Sequence, residues 1–281
     1  MMAKRKDGKI ITINMFKGGV GKTTLTQMLG TLLSDKGYKV LIIDCDPQET
    51  LTNKIFRQFE GFDRHKAGSF YDGLVDLSFK NCINEVTENL DIIVGSKKMA
   101  SFSQLLRDMW KESGLTEEGE KVFWDLFRYI FEADDIRSQY DFILIDTIPT
   151  VSDFTDNCYI ASDYLLVPTQ TEQDSVDNLN STIYDYTDVA KEINNDLQVM
   201  GIVPYLVDNK LKTGKDVLEE LKDEYEDLIF ENVITDSGVV KTWGREGVKY
   251  SIPYGRIAKK MYDNVADEFI ARFNEMEKKK A

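Results

Sequence analysis

Cysteine, histidine and proline are scarce in this chain of 281 residues, which holds three, one and five of them. Cys45, Cys82 and Cys158 are far apart and form no Cys-x-x-Cys pair. Neither a disulfide framework nor a cysteine zinc site follows, and a reducing cytoplasm fits best. The single histidine, His65, lies between Arg64 and Lys66 in a polar stretch, so a surface role is expected rather than catalysis. No run of about 18 apolar residues exists, so no transmembrane helix is expected. The stretch Met1 to Asp7 is charged and has no apolar core, so it is not a signal peptide. No Pro/Ser-rich linker, internal repeat or low-complexity segment divides the chain, and a single domain over 1–281 is expected. An excess of positive charge is also missing. The net charge is −14, which repels nucleic acid and anionic membranes unless a local basic patch overrides it. What is present, 42% apolar and 30% charged residues, suits a soluble protein with a sizeable core.

The chain alternates between strand and helix patterns. Ile10 to Asn14 is a β-branched run, followed by a glycine loop and a helical stretch from about Lys22 to Lys36. Gly37 ends that helix, and Val40 to Asp44 reads as the next buried strand. Strand, loop, helix, strand is a βαβ unit and implies parallel pairing. Further buried-strand runs are Leu90 to Val94, Phe142 to Asp146, Tyr164 to Pro168 and Val199 to Pro204. The expected fold is α/β: a doubly wound, mostly parallel sheet flanked by helices, with ligands at the carboxyl ends of the strands. Residues from about 48 to 139 read as a mostly helical decoration of the same domain. The acidic run Asp216 to Glu231 reads as a solvated helix face. A last helix, about 256–276, carries Met261, Val265, Phe269, Phe273 and Met276 at helical spacing and is expected to pack on the core.

The loop Lys17-Gly18-Gly19-Val20-Gly21-Lys22-Thr23-Thr24 sits where phosphate chemistry needs it. A helix N-terminus offers unpaired N–H groups and partial positive charge to an anion. Glycines let the backbone wrap phosphate oxygens closely. Lys22 can neutralise the β- and γ-phosphates, and the Thr23 hydroxyl can reach Mg²⁺. The general pattern wants glycine at position 16, where this chain has Phe16. Asp44, Asp46 and Asp146 stand at the ends of two apolar strand runs. Mg²⁺ is a hard cation held by one or two carboxylates plus phosphate, and a further carboxylate can orient the attacking water.

These residues resemble the ParA/MinD ATPases. Lys17 to Thr24 is similar to that family's deviant Walker A loop, whose signature lysine precedes the paired glycines and falls here on Lys17. Leu41-Ile42-Ile43-Asp44-Cys45-Asp46-Pro47-Gln48 resembles the second acidic motif. Phe142 to Thr147 resembles the Walker B strand, and Tyr164 to Gln170 the segment that ends in Pro-x-Gln in the ParA branch. Ile148 departs from the proline common there, although Pro149 follows. The resemblance implies a P-loop NTPase fold, ATP and Mg²⁺ as ligands, and weak ATP hydrolysis without a partner. It assigns Lys17, Lys22 and Asp46 to catalysis, Lys17 to Thr24 to nucleotide binding, and Thr23, Asp44 and Asp146 to the metal. It implies an ATP-dependent homodimer in which Lys17 touches the partner's nucleotide, as an arginine finger does.

Residues 241 to 260 break the acidic trend. Lys241, Arg245, Lys249, Arg256, Lys259 and Lys260 face only Glu246, a local net charge of +5. Phosphate backbones attract Lys and Arg without regard to sequence, and Trp243, Tyr250 and Tyr254 are interleaved to add contact area. The resemblance implies nonspecific DNA binding here, a centromere-binding ParB-like adaptor that stimulates hydrolysis, and a cytoplasmic, nucleoid-associated partition protein. The absence of an added N-terminal DNA-reading domain suits a small plasmid type. The alternative is a MinD-like membrane- or complex-positioning ATPase with no DNA role. Its anchor would be the last helix, whose Asp263, Asp267, Glu268, Glu275 and Glu277 oppose an anionic membrane. The iron–sulfur reductases with this loop type need cysteine ligands, and Cys82 and Cys158 lie in no segment resembling theirs.

Overall fold

The central strands are apolar on both faces because both are covered. In the computed structural model, which describes residues 7–113, 124–207 and 212–280, Ile11 and Ile13 of strand β1 point into one core and Ile10 into the other. Residues 1–6 of the charged N-terminal stretch and 114–123 of the helical decoration lie outside the described residues.

The described residues form one eight-stranded sheet in the order β3-β4-β2-β5-β1-β6-β7-β8. The strands are β1 (Lys9–Ile13), β2 (Val40–Asp44), β3 (Ile83–Thr87), β4 (Leu90–Ile93), β5 (Phe142–Asp146), β6 (Tyr164–Gln170), β7 (Gln198–Val207) and β8 (Ile234–Thr235). All pairs are parallel except β3 with β4. The chain leaves β1 through helix α1 (Lys22–Asp35) to β2 on one side. It later crosses from β5 through a helix (Asp153–Ala161) to β6 on the other. This reversal puts the carboxyl ends of β1, β2 and β5 around one crevice, the usual ligand position in such sheets.

Helix α2 (Thr50–Gln58) follows β2 and packs beside α1. α3 (Phe70–Val75), α4 (Phe102–Ser113) and α5 (Leu126–Ala133) cover one face. Phe70, Phe102, Phe127 and Phe154 form a mostly edge-to-face aromatic cluster there, with Phe79 stacked on Phe70. The 153–161 helix is α6. α7 (Gln173–Asn180) passes through a π turn at Ser181–Asp185 into α8 (Tyr186–Lys191). α9 (Lys212–Tyr225) and α10 (Gly238–Glu246) lead to the long α11 (Pro253–Lys280).

Three details differ from the sequence expectation. The mostly helical 48–139 region holds one strand beyond the expected Leu90–Val94 run, because β3 adds an antiparallel edge strand to β4. The two-residue β8 had no readable pattern. The last helix is longer than 256–276 at both ends, since Pro253 serves its first turn, where a missing N–H costs nothing. Its apolar stripe lies in the core as expected, with Val265, Ala266 and Phe269 fully buried.

Candidate functional site

The phosphate loop links β1 to α1 with two left-handed glycines, Gly19 (φ 78°) and Gly21 (φ 93°). Gly21 is irreplaceable for a second reason: a Cβ there would lie 2.1 Å from Tyr205 Cε1. A Cβ on Gly18 or Gly19 would meet nothing within 4 Å, so the loop backbone lies bare there for close approach by a ligand. Val20 plugs the loop into the core. The Lys22 side chain curls over the loop, its Nζ donating to the carbonyls of Met15 (3.1 Å) and Lys17 (3.0 Å). Burial lowers its pKa, and Asp146 and Asp46 oppose that shift.

Asp44 and Asp146 are register partners in the parallel β2–β5 pair, and both are fully buried. Their surroundings differ. Asp44 Oδ2 accepts from the N–H (2.8 Å) and the hydroxyl (2.7 Å) of Thr52, and Oδ1 accepts from the Asp46 N–H at 3.2 Å. Burial still pushes its pKa up to about 6, against those bonds. Asp146 has neither carboxylate oxygen in a full hydrogen bond among the described residues. Burial, then the Asp44 charge, pushes it well above the usual carboxylate range, while the Thr23 hydroxyl and Lys22 oppose the shift. Two buried acceptors in no full hydrogen bond, facing a loop threonine, fit a hard divalent cation. Asp44, with its oxygens already engaged, braces α2 rather than offering free ligand atoms. Among the described residues no three acidic, cysteine or histidine side chains form a metal cluster. A cation at Asp146 would therefore complete its shell from Thr23, phosphate and water. Asp46 is half-buried, and its Oδ1 is held by the Gln48 N–H at 2.8 Å.

Lys17 is tied within its own chain. Its Nζ donates to Glu172 Oε2 (3.1 Å) and Ser175 Oγ (3.0 Å) at the start of α7. Sequence reasoning missed both partners. It also missed Thr52, Tyr205 and Lys54, whose Nζ donates to Thr24 Oγ1 at 3.0 Å. Tyr205 carries the site toward α11, because its hydroxyl meets that of Tyr262.

The basic segment divides in two. Lys241, Lys249 and Lys259 are ion-paired with Asp236 (2.7 Å), Glu246 (2.7 Å) and Asp263 (3.0 Å). Arg245, Arg256 and Lys260 are exposed, and none of the ion pairs among the described residues uses them. Two of the aromatics do not offer contact area. Trp243 is 1% exposed and packs on Tyr250 and Tyr262, and Tyr250 leans over Met28. Helical spacing explains this: Val240 and Trp243, three apart, form the inward stripe of α10. Tyr254, at 74% exposure, remains outside.

Residues 8–199 match a family model described as an AAA domain. The sporulation initiation inhibitor protein Soj of Bacillus subtilis is 32% identical over 230 residues, covering 81% of this chain and 84% of Soj. The chain belongs to the ParA/Soj family of P-loop ATPases. A chromosome-partitioning ATPase Soj from Treponema pallidum is 26% identical over 268 residues, 94% of this chain and 98% of the relative. Among solved structures, a putative plasmid partition protein of Borrelia burgdorferi bound to AMPPNP superposes with a TM-score of 0.71. It is 26% identical and is matched over 96% of this chain and 100% of its own. A Cyanothece McdA variant in complex with ATP reaches 0.76 at 20% identity over 95% and 97% of the two chains, which speaks for the fold alone. As a ParA/Soj-type chain, this protein is a partition-type ATPase. Among the described residues no helix is long and apolar enough to cross a membrane.

Proposed function

We propose that this chain is a DNA-partition ATPase that dimerises on binding ATP and Mg²⁺, then holds nonspecific DNA until a ParB-like adaptor triggers hydrolysis. One observation carries the reading: the buried carboxylate of Asp146, in no full hydrogen bond, faces the Thr23 hydroxyl at the foot of a deviant Walker A loop. In this reading the amides of Gly18 to Thr24 hold the phosphates and Lys22 neutralises the β/γ pair. Thr23 and Asp146, with Asp44 in support, would hold Mg²⁺, which would supply positive charge against the charge developing on transfer. Asp46 orients the attacking water. Lys17 leaves Glu172 and reaches the partner's nucleotide. Arg245, Arg256 and Lys260 supply the phosphate-backbone contacts. The named relatives support the partition role, and the single 1–281 domain is part of the proposal. The MinD-like alternative has less support, since the apolar stripe of α11 is spent on the core.

ATP turnover measured alone, with DNA, and with DNA plus a candidate adaptor tests the reading. Slow turnover that rises only with DNA and adaptor is expected. Turnover that ignores both, together with ATP-dependent flotation on anionic liposomes, would favour the alternative.

A further inference from the structure

Helix α2 carries a partly buried lysine, Lys54, that points at the phosphate loop. Lys54 Nζ donates to Thr24 Oγ1, the hydroxyl next to the metal-site threonine. The side chain is partly buried, and desolvation lowers its pKa, with Asp146 the opposing charge and Arg57 adding to the lowering. No carboxylate forms an ion pair with it among the described residues. One neutral hydroxyl does not offset the desolvation of an ammonium, so a cation in such a place ordinarily has an anionic partner. Its position is also fixed rather than incidental. Two residues earlier, Thr52 clamps α2 to Asp44 through its N–H and hydroxyl, and its Oγ1 accepts from the Gly95 N–H at 2.9 Å. One turn later, Arg57 donates to the Gly244 carbonyl of α10. Held at both ends, α2 keeps the Lys54 ammonium at the Thr24 end of the phosphate loop.

We propose that Lys54 is a further phosphate-binding cation of the nucleotide site, acting beside Lys22 from the Thr24 end of the loop. The proposal rests on the nucleotide-binding reading above. It makes α2 the element that senses nucleotide directly, since the same helix touches the phosphate loop, Asp44 and the basic helix α10. The competing role is a plain brace between α1 and α2, in which the charge does nothing.

The test uses the full chain, with fluorescent ADP and ATP analogues and Mg²⁺ titrated into wild type, Lys54→Met and Lys54→Arg. The melting temperature of each is read without nucleotide. Loss of one charge-assisted hydrogen bond should weaken both analogues about tenfold or more in Lys54→Met. Lys54→Arg should recover most of the affinity, and the nucleotide-free melting temperature of Lys54→Met should hold or rise. Binding of Lys54→Met within about twofold of wild type, or a lower melting temperature with unchanged affinity, would leave only the brace and overturn the proposal. If Lys54→Met does not fold, Lys54→Gln, which keeps a donor and drops the charge, carries the same comparison. A wild type that binds neither analogue would sink the nucleotide reading itself, an outcome distinct from loss of Lys54 alone.

Discussion

The ammonium of Lys17 lies 3.1 Å from Glu172 Oε2, across 155 residues of sequence. The lysine that we propose reaches a partner's nucleotide is thus held by its own chain. The carboxylate is 65% exposed, so the pair contributes little, on the order of 0.2–1 kcal/mol. That is enough to bias an assembly equilibrium without blocking it. Glu172→Gln should lower the ATP-analogue concentration that half-dimerises the protein by about two- to fivefold. Sedimentation across an analogue titration reads this. An unchanged midpoint would mean that the latch has no bearing on assembly.

Asp146 tests the metal site. Its carboxylate is buried with no full hydrogen bond, and burial and Asp44 disfavour its ionised form, so Asp146→Asn, which cannot ionise, removes an electrostatic burden from the protein. The variant should melt no lower than wild type without ligand, yet lose the stabilisation that Mg²⁺ and ATP give by mass action. Differential scanning fluorimetry with and without Mg²⁺–ATP shows both effects. A variant that melts lower alone and still responds fully to Mg²⁺–ATP would remove Asp146 from the metal site.

The local parts of this site were legible in the sequence. The phosphate loop, Asp44 and Asp146 are fixed by strand ends and a helix start, so a linear pattern places them. The partners of those residues were not legible. Thr52 and Lys54 reach the site only because α2 turns back beside α1, and Glu172 because β6 ends next to the loop. Trp243 was misread because basic neighbours made its segment look like surface, whereas the spacing from Val240 decides its direction. The β3 strand (Ile-Asn-Glu-Val-Thr) has polar residues at an edge, and such strands carry little hydrophobic signal. The fold class followed from the βαβ alternation, but the two ends of the sheet did not.

Two glycines of the loop should fail in different ways. Gly21→Ala puts a Cβ into the Tyr205 ring at a left-handed φ of 93°, so it should lower the ligand-free melting temperature. Gly18→Ala meets nothing within 4 Å and should leave that temperature unchanged while weakening nucleotide binding. Thermal melts paired with nucleotide titrations separate the two. Equal destabilisation by both substitutions would refute the cradle geometry.

The basic segment predicts an asymmetry. Alanine at Arg245, Arg256 and Lys260 removes charges free to meet phosphates. Alanine at Lys241, Lys249 and Lys259 removes charges already paired with carboxylates. With nonspecific duplex DNA and ATP, the first triple variant should reduce the log–log salt slope by about 2–3, since each phosphate contact contributes about 0.9. The second should change it less. Fluorescence anisotropy over a salt series measures both slopes. Wild-type slopes in both variants would move DNA binding elsewhere on the protein.

Asp156, away from the nucleotide site, supplies a pH signature. Burial raises its pKa, the Tyr186 hydroxyl opposes the shift with a 2.6 Å hydrogen bond, and Asp153 adds to it. A carboxyl whose folded pKa lies above its unfolded value stabilises the fold fully below the unfolded pKa. That contribution is lost as pH rises through the folded pKa, because the folded protein tolerates the ionised form less well. Asp156→Asn keeps an acceptor for Tyr186 and cannot ionise. Relative to wild type, the variant should therefore gain stability as pH rises from about 4, near the unfolded carboxylate value, towards neutrality. Melting temperatures of both proteins over that range give the difference directly, with the titration of all other groups cancelling. A difference that stays flat, or shrinks as pH rises, would show that Asp156 ionises freely in the folded protein.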